Sequence, residues 1–336
     1  MALALSGTAM LRAGGNDPPA AKDREEELAA IKKDFQNALL DVRAALKEAK
    51  TIDDRSRAIE PLFPLWRSAL KLADAAEDDV SLQAALWVLT SSKGAPLSTQ
   101  YVALIEEVAQ SKTAKAHAEV GAQALLVLAQ LFQAEADRLA NSNPKAADSL
   151  ARRAEGYCER ILKDHGEASG AVARIAREAK GILYELRHLA VGKLAPDVEG
   201  TDLDDKKAKL SDFRGKVVVL DIWATWCRPC RDMIPHEREM VKRLEGKPFV
   251  LLSVSADAKK ETLVKFLEKE EMPWVHWHNG AKGGTLETYQ VRFFPTIYVL
   301  DAKGIIRYKN IRGSALEEAV EKLLQETESN SGGGDR

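Results

Sequence analysis

The chain has 336 residues, with 49 Lys and Arg against 51 Asp and Glu and a formal net charge of −2. That length suits two domains, and the near balance of charge gives no bulk attraction to nucleic acid or to an anionic membrane. No apolar run approaches the roughly 18 residues of a membrane span, and three cysteines cannot frame so long a chain with disulfides.

Residues 1–11 are apolar with small residues, like part of a signal-peptide core, yet no basic segment precedes them. Residues 1–19 therefore read either as a flexible segment or as a signal-peptide remnant, and whether Met1 is the true start stays open. Residues 20–190 read as an Ala-rich, all-α domain without an assigned role. Apolar periodicity predicts helices over 23–49, 56–75, 81–89, 98–109, 114–139, 144–162 and 168–189. Breaks are expected at 91–96, 141–144 and 165–166, with Pro61 and Pro64 interrupting the second helix. Successive hairpins of this kind can stack as repeats, but no repeated motif emerges and a plain bundle is the simpler reading. Trp66 and Trp87 are assigned to its core, and Cys158 to a buried, small apolar position.

Further on, strand and helix patterns alternate. Residues 216–222 (KVVVLDI) form an unbroken apolar run rich in β-branched residues, the mark of a strand buried on both faces. Met233, Ile234, Met240, Val241 and Leu244 recur at helical spacing within 231–244. A strand is predicted at 249–254, a helix at 259–270, a short strand at 273–277 and a Gly-rich loop at Gly280, Gly283 and Gly284. Strands at 296–300 and 305–311 flank Asp301-Ala302-Lys303-Gly304, a good hairpin turn. Helical spacing returns over 316–324, and residues 329–336, with three consecutive glycines, read as a disordered tail.

The most informative segment is Trp226-Cys227-Arg228-Pro229-Cys230, placed where the buried strand feeds a helix. Two thiols at this spacing on a first helical turn can close a small disulfide ring and exchange two electrons. At the helix N-terminus the unpaired N–H groups and the dipole favour a thiolate at Cys227. A thiol pKa falling from about 8.5 to roughly 3.5–7.5 makes it a nucleophile near neutral pH. Cys230, under the first turn, is expected to resolve the mixed disulfide. A structural zinc site would need a second ligand pair, and only His276 and His278 in a short strand are at hand. Haem attachment would need a His where Arg231 stands. A permanent disulfide over so short a loop would stabilise little. No metal and no cofactor beyond a redox-active Cys227–Cys230 disulfide is therefore expected.

From about residue 191 to 328 the chain resembles thioredoxin-fold proteins of the TlpA/ResA kind, extracytoplasmic thiol–disulfide oxidoreductases. The resemblance rests on Gly192-Lys193-Leu194-Ala195-Pro196-Asp197, Leu210-Ser211-Asp212-Phe213-Arg214-Gly215-Lys216, Asp221-Ile222-Trp223-Ala224-Thr225-Trp226, the Cys pair, Pro235, Phe294-Pro295-Thr296 and Gly313. It implies over 191–328 a thioredoxin-like domain with a central mixed sheet flanked by helices, which after the all-α domain of 20–190 makes a multidomain chain, α plus α/β. Asp221 matches the buried acid beneath the dithiol, which would pass a proton to and from Cys230; a strand-end Asp with a structural role only is the alternative. Pro295 matches a cis-proline facing the disulfide, leaving the backbone at Phe294 to pair with an extended substrate segment. Trp226, Arg228 and Phe294 would meet the substrate. Arg228 is either a cation favouring the thiolate or a solvated surface residue. Pro235 would start or kink the later part of the helix. Met233 departs from the pattern, standing where many relatives carry Glu, and this puts a specific apocytochrome-reducing role in doubt.

The resemblance implies protein disulfides as substrates, an upstream thiol donor, no nucleic acid, and an extracytoplasmic site, a cytoplasmic one being the alternative. A different class of function stays open: a partner-binding or scaffold protein, even a dimer through the helical domain, whose redox domain is regulatory.

Overall fold

The computed structural model describes residues 18–92 and 97–331, so 1–17 of the segment expected to be flexible or a signal remnant (1–19), 93–96 of the 91–96 break, and 332–336 of the tail lie outside the described residues. The chain divides into two compact units, one holding residues 18–128 with Ser169–Val172, the other 129–168 with 173–331.

The first unit is helical: α1 (Ala21–Glu48), α2 (Ile52–Ile59), α3 (Phe63–Ala73), α4 (Asp79–Ser91), α5 (Thr99–Gln110), α6 (Lys112–Ala116) and the start of α7 (Ala118–Leu139). Helix α1 buries Leu28, Ile31, Phe35 and Val42 at helical spacing. Phe35 meets Trp66 at 6.0 Å and the edge of Trp87 at 5.2 Å, so both tryptophans serve the core, as expected. The predicted helix at 56–75 is split, with Pro61 in a 3₁₀ turn (Glu60–Leu62) and Pro64 in the first turn of α3, where a missing N–H costs nothing. Asp78 caps α4 by accepting from the Ser81 N–H at 3.1 Å and pairs with the buried Arg24. That guanidinium holds the Asp78 carboxyl at about 2. The predicted helix at 114–139 breaks at His117, between α6 and α7.

The second unit contains the end of α7, α8 (Pro144–His165), α9 (Gly170–Tyr184) from residue 173 on, and a π turn (Glu185–Leu189), together with a seven-stranded sheet. The division thus falls within α7 rather than at residue 190. The reason is packing: Leu189 and Tyr184 join the core of Tyr289, Tyr298 and Ile306, and Asp137 pairs with Lys309. Cys158 on α8 is fully buried, and burial pushes its thiol up to about 12, which leaves it unreactive at neutral pH.

The strands are β1 (Glu199–Thr201), β2 (Lys207–Lys209), β3 (Val217–Trp223), β4 (Phe249–Ser255), β5 (Val275–His278), β6 (Thr296–Leu300) and β7 (Ile306–Lys309), in the spatial order β2-β1-β5-β4-β3-β6-β7. β3 is an interior strand, between β4 and β6, and buried at every position. It runs parallel to β4, with Val217 beside Phe249 and Trp223 beside Ser255, and antiparallel to β6. The crossover between the two parallel strands carries α10 (Arg228–Arg231) and α11 (Ile234–Arg243). Beyond it come α12 (Lys260–Leu267), α13 (Gly284–Thr288) and α14 (Ser314–Ser331). Alternate β3 residues feed two cores, Val218, Leu220 and Ile222 on one face and Val217 and Val219 on the other. This is the mixed sheet flanked by helices that the resemblance implied.

Three details differ from expectation. β1 and β2 are too short and polar to register as strands in the sequence. The Gly-rich loop ends in α13, whose first turn begins at Gly284. Helix α14 runs to Ser331, into the segment expected as a tail. The Asp301–Gly304 turn forms as read: Asp301 Oδ1 accepts from the N–H groups of Lys303 and Ile305, both at 3.0 Å, and Gly304 takes a φ of 78°.

Gly200 in β1 lies flat on the Trp277 ring, where an added Cβ would fall 2.0 Å from a ring carbon. Gly200→Ala should therefore lower stability by about 1–3 kcal/mol in chemical unfolding; an unchanged midpoint would contradict this packing.

Candidate redox site

β3 delivers the site. Its last residue, Trp223, is followed by a loop that Asp257 holds in place. The buried Asp257 carboxylate accepts from the Thr225 N–H at 3.1 Å, the Thr225 hydroxyl at 2.8 Å and the Ser255 hydroxyl at 2.8 Å. These bonds tie the segment before the cysteines to the end of β4. Sequence reading missed Asp257; an Asp just past a buried strand, in Ser255-Ala256-Asp257, was the only signal.

Cys227 is the N-cap of α10, with Cys230 in its first turn, and the two are joined in a disulfide with Cα atoms 5.3 Å apart. The Cys230 N–H points at Cys227 Sγ from 3.2 Å. In the reduced protein the same N–H would support negative charge on Cys227, as a helix N-terminus does. Both cysteines are buried in a cluster with Trp223, Ala224, Ile234, Leu263 and Met272. Pro235 falls in the first turn of α11, after the helix has broken between Arg231 and Ile234. Met233 occupies the break, half-buried.

The residues expected to meet substrate separate into two groups. Trp226 is 67% exposed, and its ring stands edge-on to that of Phe294 at 5.5 Å. Phe294 also packs on the cysteine cluster, and the Phe294-Pro295 bond is cis. The packing of Phe294 brings the start of this loop beside the cysteine cluster, and Arg312 Nη2 donates to the Pro295 carbonyl at 3.2 Å. Arg228 is exposed on α10.

Asp221, two residues before Trp223 on the same face of β3, is 4% exposed. Its Oδ1 has no hydrogen-bond partner among protein atoms. Burial drives its pKa up to about 7, against smaller opposing effects of the Ser253 hydroxyl and of Arg312. Ser253, opposite Asp221 in β4, also accepts from Trp274 Nε1 at 2.8 Å. Glu237 on α11, which the sequence reading did not single out, is 2% exposed with Oε1 likewise unpartnered. Burial first, and the Asp221 charge second, push its pKa well above the usual carboxylate range. An acid in the apolar stripe of α11 was the signal for it.

A thioredoxin-like sheet carrying Cys-x-x-Cys just after its interior strand β3, with Phe294 packed beside the pair, defines a thiol–disulfide oxidoreductase. Comparison with known proteins agrees. The AhpC/TSA family model matches residues 191–309. Thiol-disulfide oxidoreductase ResA of Bacillus thuringiensis subsp. konkukian is 30% identical over 147 residues, which cover 44% of this chain and 83% of that protein. Thioredoxin-like protein YneN of Bacillus subtilis is 31% identical over 134 residues, 39% of this chain and 78% of that protein. The thioredoxin domain of a Bacteroides vulgatus thiol-disulfide oxidoreductase is similar at 32% identity, with a TM-score of 0.38, over 40% of this chain and 98% of that one. The chain belongs to the ResA family of thiol–disulfide oxidoreductases.

The raised pKa of Asp221 has a consequence for stability. An ordinary Asp titrates near 4, so the folded protein holds a proton that the unfolded chain releases. Stability therefore falls as pH rises from about 4 to about 7. Asp221→Asn removes the cost. In chemical unfolding of the oxidised protein the variant should exceed wild type by a few kcal/mol near pH 8 and match it near pH 4. A difference independent of pH would contradict the assignment.

Proposed function

We propose that the protein reduces disulfide bonds in other proteins, with Cys227 as the attacking thiolate, Cys230 as the resolving thiol and Asp221 as the acceptor of the Cys230 proton. The observation that carries this reading is the position of Cys227 as helix cap. Its sulfur receives the Cys230 N–H, and Cys230 itself lies inside the turn. Thiolate character follows the group with the better donors. Trp226 and Phe294 offer an apolar edge beside the sulfurs for an extended substrate segment, whose backbone would pair at Phe294. Arg228 adds a cation on the exposed side. No cofactor enters: electrons arrive from an upstream thiol donor through the disulfide. The resemblance to extracytoplasmic relatives supports a site outside the cytoplasm. Among the described residues no helix is long and apolar enough to cross a membrane.

In the full-length protein, Cys230→Ser should accumulate mixed disulfides through Cys227, and Cys227→Ser none, on non-reducing gels with insulin as substrate. Wild type should reduce insulin catalytically. Trapping through Cys230 would reverse the roles. Turnover of peroxide without turnover of insulin would replace this reading with that of a peroxidase.

A further inference from the structure

Two buried carboxyls and the way β3 and α11 face each other carry one inference beyond the dithiol itself. On β3, Asp221 stands between Val219, which packs with Met240, Leu251 and Val299, and Trp223, which packs with the cysteines. On α11, Glu237 stands between Ile234, in the cysteine cluster, and Met240, in the other core. The two acids thus occupy the same interval of one interface, flanked on their packed faces by the apolar Val219, Trp223, Ile234 and Met240. Each leaves one oxygen without a partner, Asp221 Oδ1 and Glu237 Oε1. Asp257, by contrast, is as deeply buried, yet its carboxylate accepts from Thr225 and Ser255. A lone buried carboxylate without donors is costly, whereas two carboxyls that share a proton satisfy each other.

We propose that Glu237 is a positioning residue for the redox reaction: protonated at neutral pH, it donates its O–H to Asp221 and keeps that carboxylate ionised and aimed beneath Cys230. This rests on the reading of Asp221 and the dithiol given above. In the mixed disulfide, the Cys230 S–H gives its proton to the Asp221 carboxylate, and the Cys230 thiolate attacks Cys227 Sγ. The Cys227–substrate S–S bond breaks, its electron pair leaves on the substrate sulfur, and that thiolate takes a proton from solvent. The substrate disulfide has gained two electrons, the enzyme dithiol has lost them, and Asp221 releases its proton to solvent. Glu237 keeps its own proton throughout.

Burial raises the proton affinity of both acids, and for Glu237 the Asp221 charge adds to it, so Glu237 is the one that keeps its proton when Asp221 ionises. Several of the other charged groups around α11 are engaged elsewhere. Arg312 opposes the rise in the Asp221 pKa and donates to the Pro295 carbonyl. From α14, Glu317 pairs with Arg243 at 2.9 Å and lies 3.3 Å from His236, and Glu321 lies 3.5 Å from Arg243. Beyond α12, Glu270 pairs with Arg238 at 2.5 Å.

The test has two arms on the full chain. The first follows resolution of a Cys227–peptide mixed disulfide against pH by stopped flow. Glu237→Gln keeps an N–H donor for Asp221 and should leave the midpoint within about half a pH unit of wild type. Glu237→Met removes the donor, so Asp221 should hold its proton more tightly. Its midpoint should rise by about one pH unit, with resolution at neutral pH slowed by up to about tenfold. Identical midpoints in all three proteins, or a Gln variant that follows the Met variant, would overturn the proposal. The second arm needs no redox activity and, for its decisive result, no variant: the infrared C=O band of a buried carboxylic acid in oxidised wild type near pH 8, where ordinary carboxyls are ionised. Its presence, and its loss in Glu237→Gln, is the expected result, and its absence from wild type would overturn the proposal. If no mixed disulfide forms at all, the dithiol reading has failed, and the infrared arm alone decides the acid pair.

Discussion

Everything at this site depends on β3 being buried on both faces while carrying an acid. A strand between β4 and β6 with apolar cores on either side excludes water from Asp221, and exclusion of water is what brings a carboxyl's pKa to about 7. The same burial fixes the strand rigidly enough to place Trp223, and four residues later the first cysteine, at a set point beneath the surface. On the proposed reading, one feature thus supplies both the proton acceptor and the frame that positions the sulfurs. The stability that Asp221 and Glu237 remove is offset by the close-packed valines and leucines around them, the usual bargain at functional sites.

The surroundings of the disulfide are divided by polarity. On β3 and α11, next to residues of the cysteine cluster, lie acids short of hydrogen bonds; Asp257, through its bonds to Thr225 and Ser255, anchors the loop before the cysteines; Phe294 packs on the cluster with its ring edge-on to the exposed Trp226. On the proposed reading these regions do different work. The rings and the Phe294 backbone receive an extended peptide, the anchored loop holds Cys227 as helix cap, and the acids manage the proton of Cys230. Exposed aromatic area beside reactive sulfurs suits unfolded or extended protein substrates better than small thiols, because it offers contact without demanding one side-chain shape.

Much of this was legible in the sequence, and the limits have physical causes. The valine-rich run 216–222 could only be a central strand, and Cys-x-x-Cys after it fixed the helix start, so the placement of Cys227 and Cys230 followed. The resemblance supplied the position of Pro295. Glu237 and Asp257 escaped because burial of a polar side chain depends on what packs above it, and local periodicity carries no such information. An acid within an apolar stripe looks like a helix-surface residue until the opposing strand is seen. β1 and β2 escaped for a related reason: three-residue strands are held by partners such as Trp277 and by Gly200's lack of a side chain, not by their own propensity. The helices were found well, but their allegiance was not, since Tyr184 and Leu189 join the sheet's core through contacts distant in sequence.

The central claim is that Cys227 and Cys230 form a reducing couple. The most direct measurement is its reduction potential, from equilibration of the full-length protein with defined thiol–disulfide buffers at neutral pH. The account predicts a single reversible two-electron transition that either Cys→Ser change abolishes, at a potential nearer the about −270 mV of a thioredoxin than the about −120 mV of a strong oxidant. A potential at the oxidising end, or a disulfide that no buffer reduces while the protein stays folded, would contradict it.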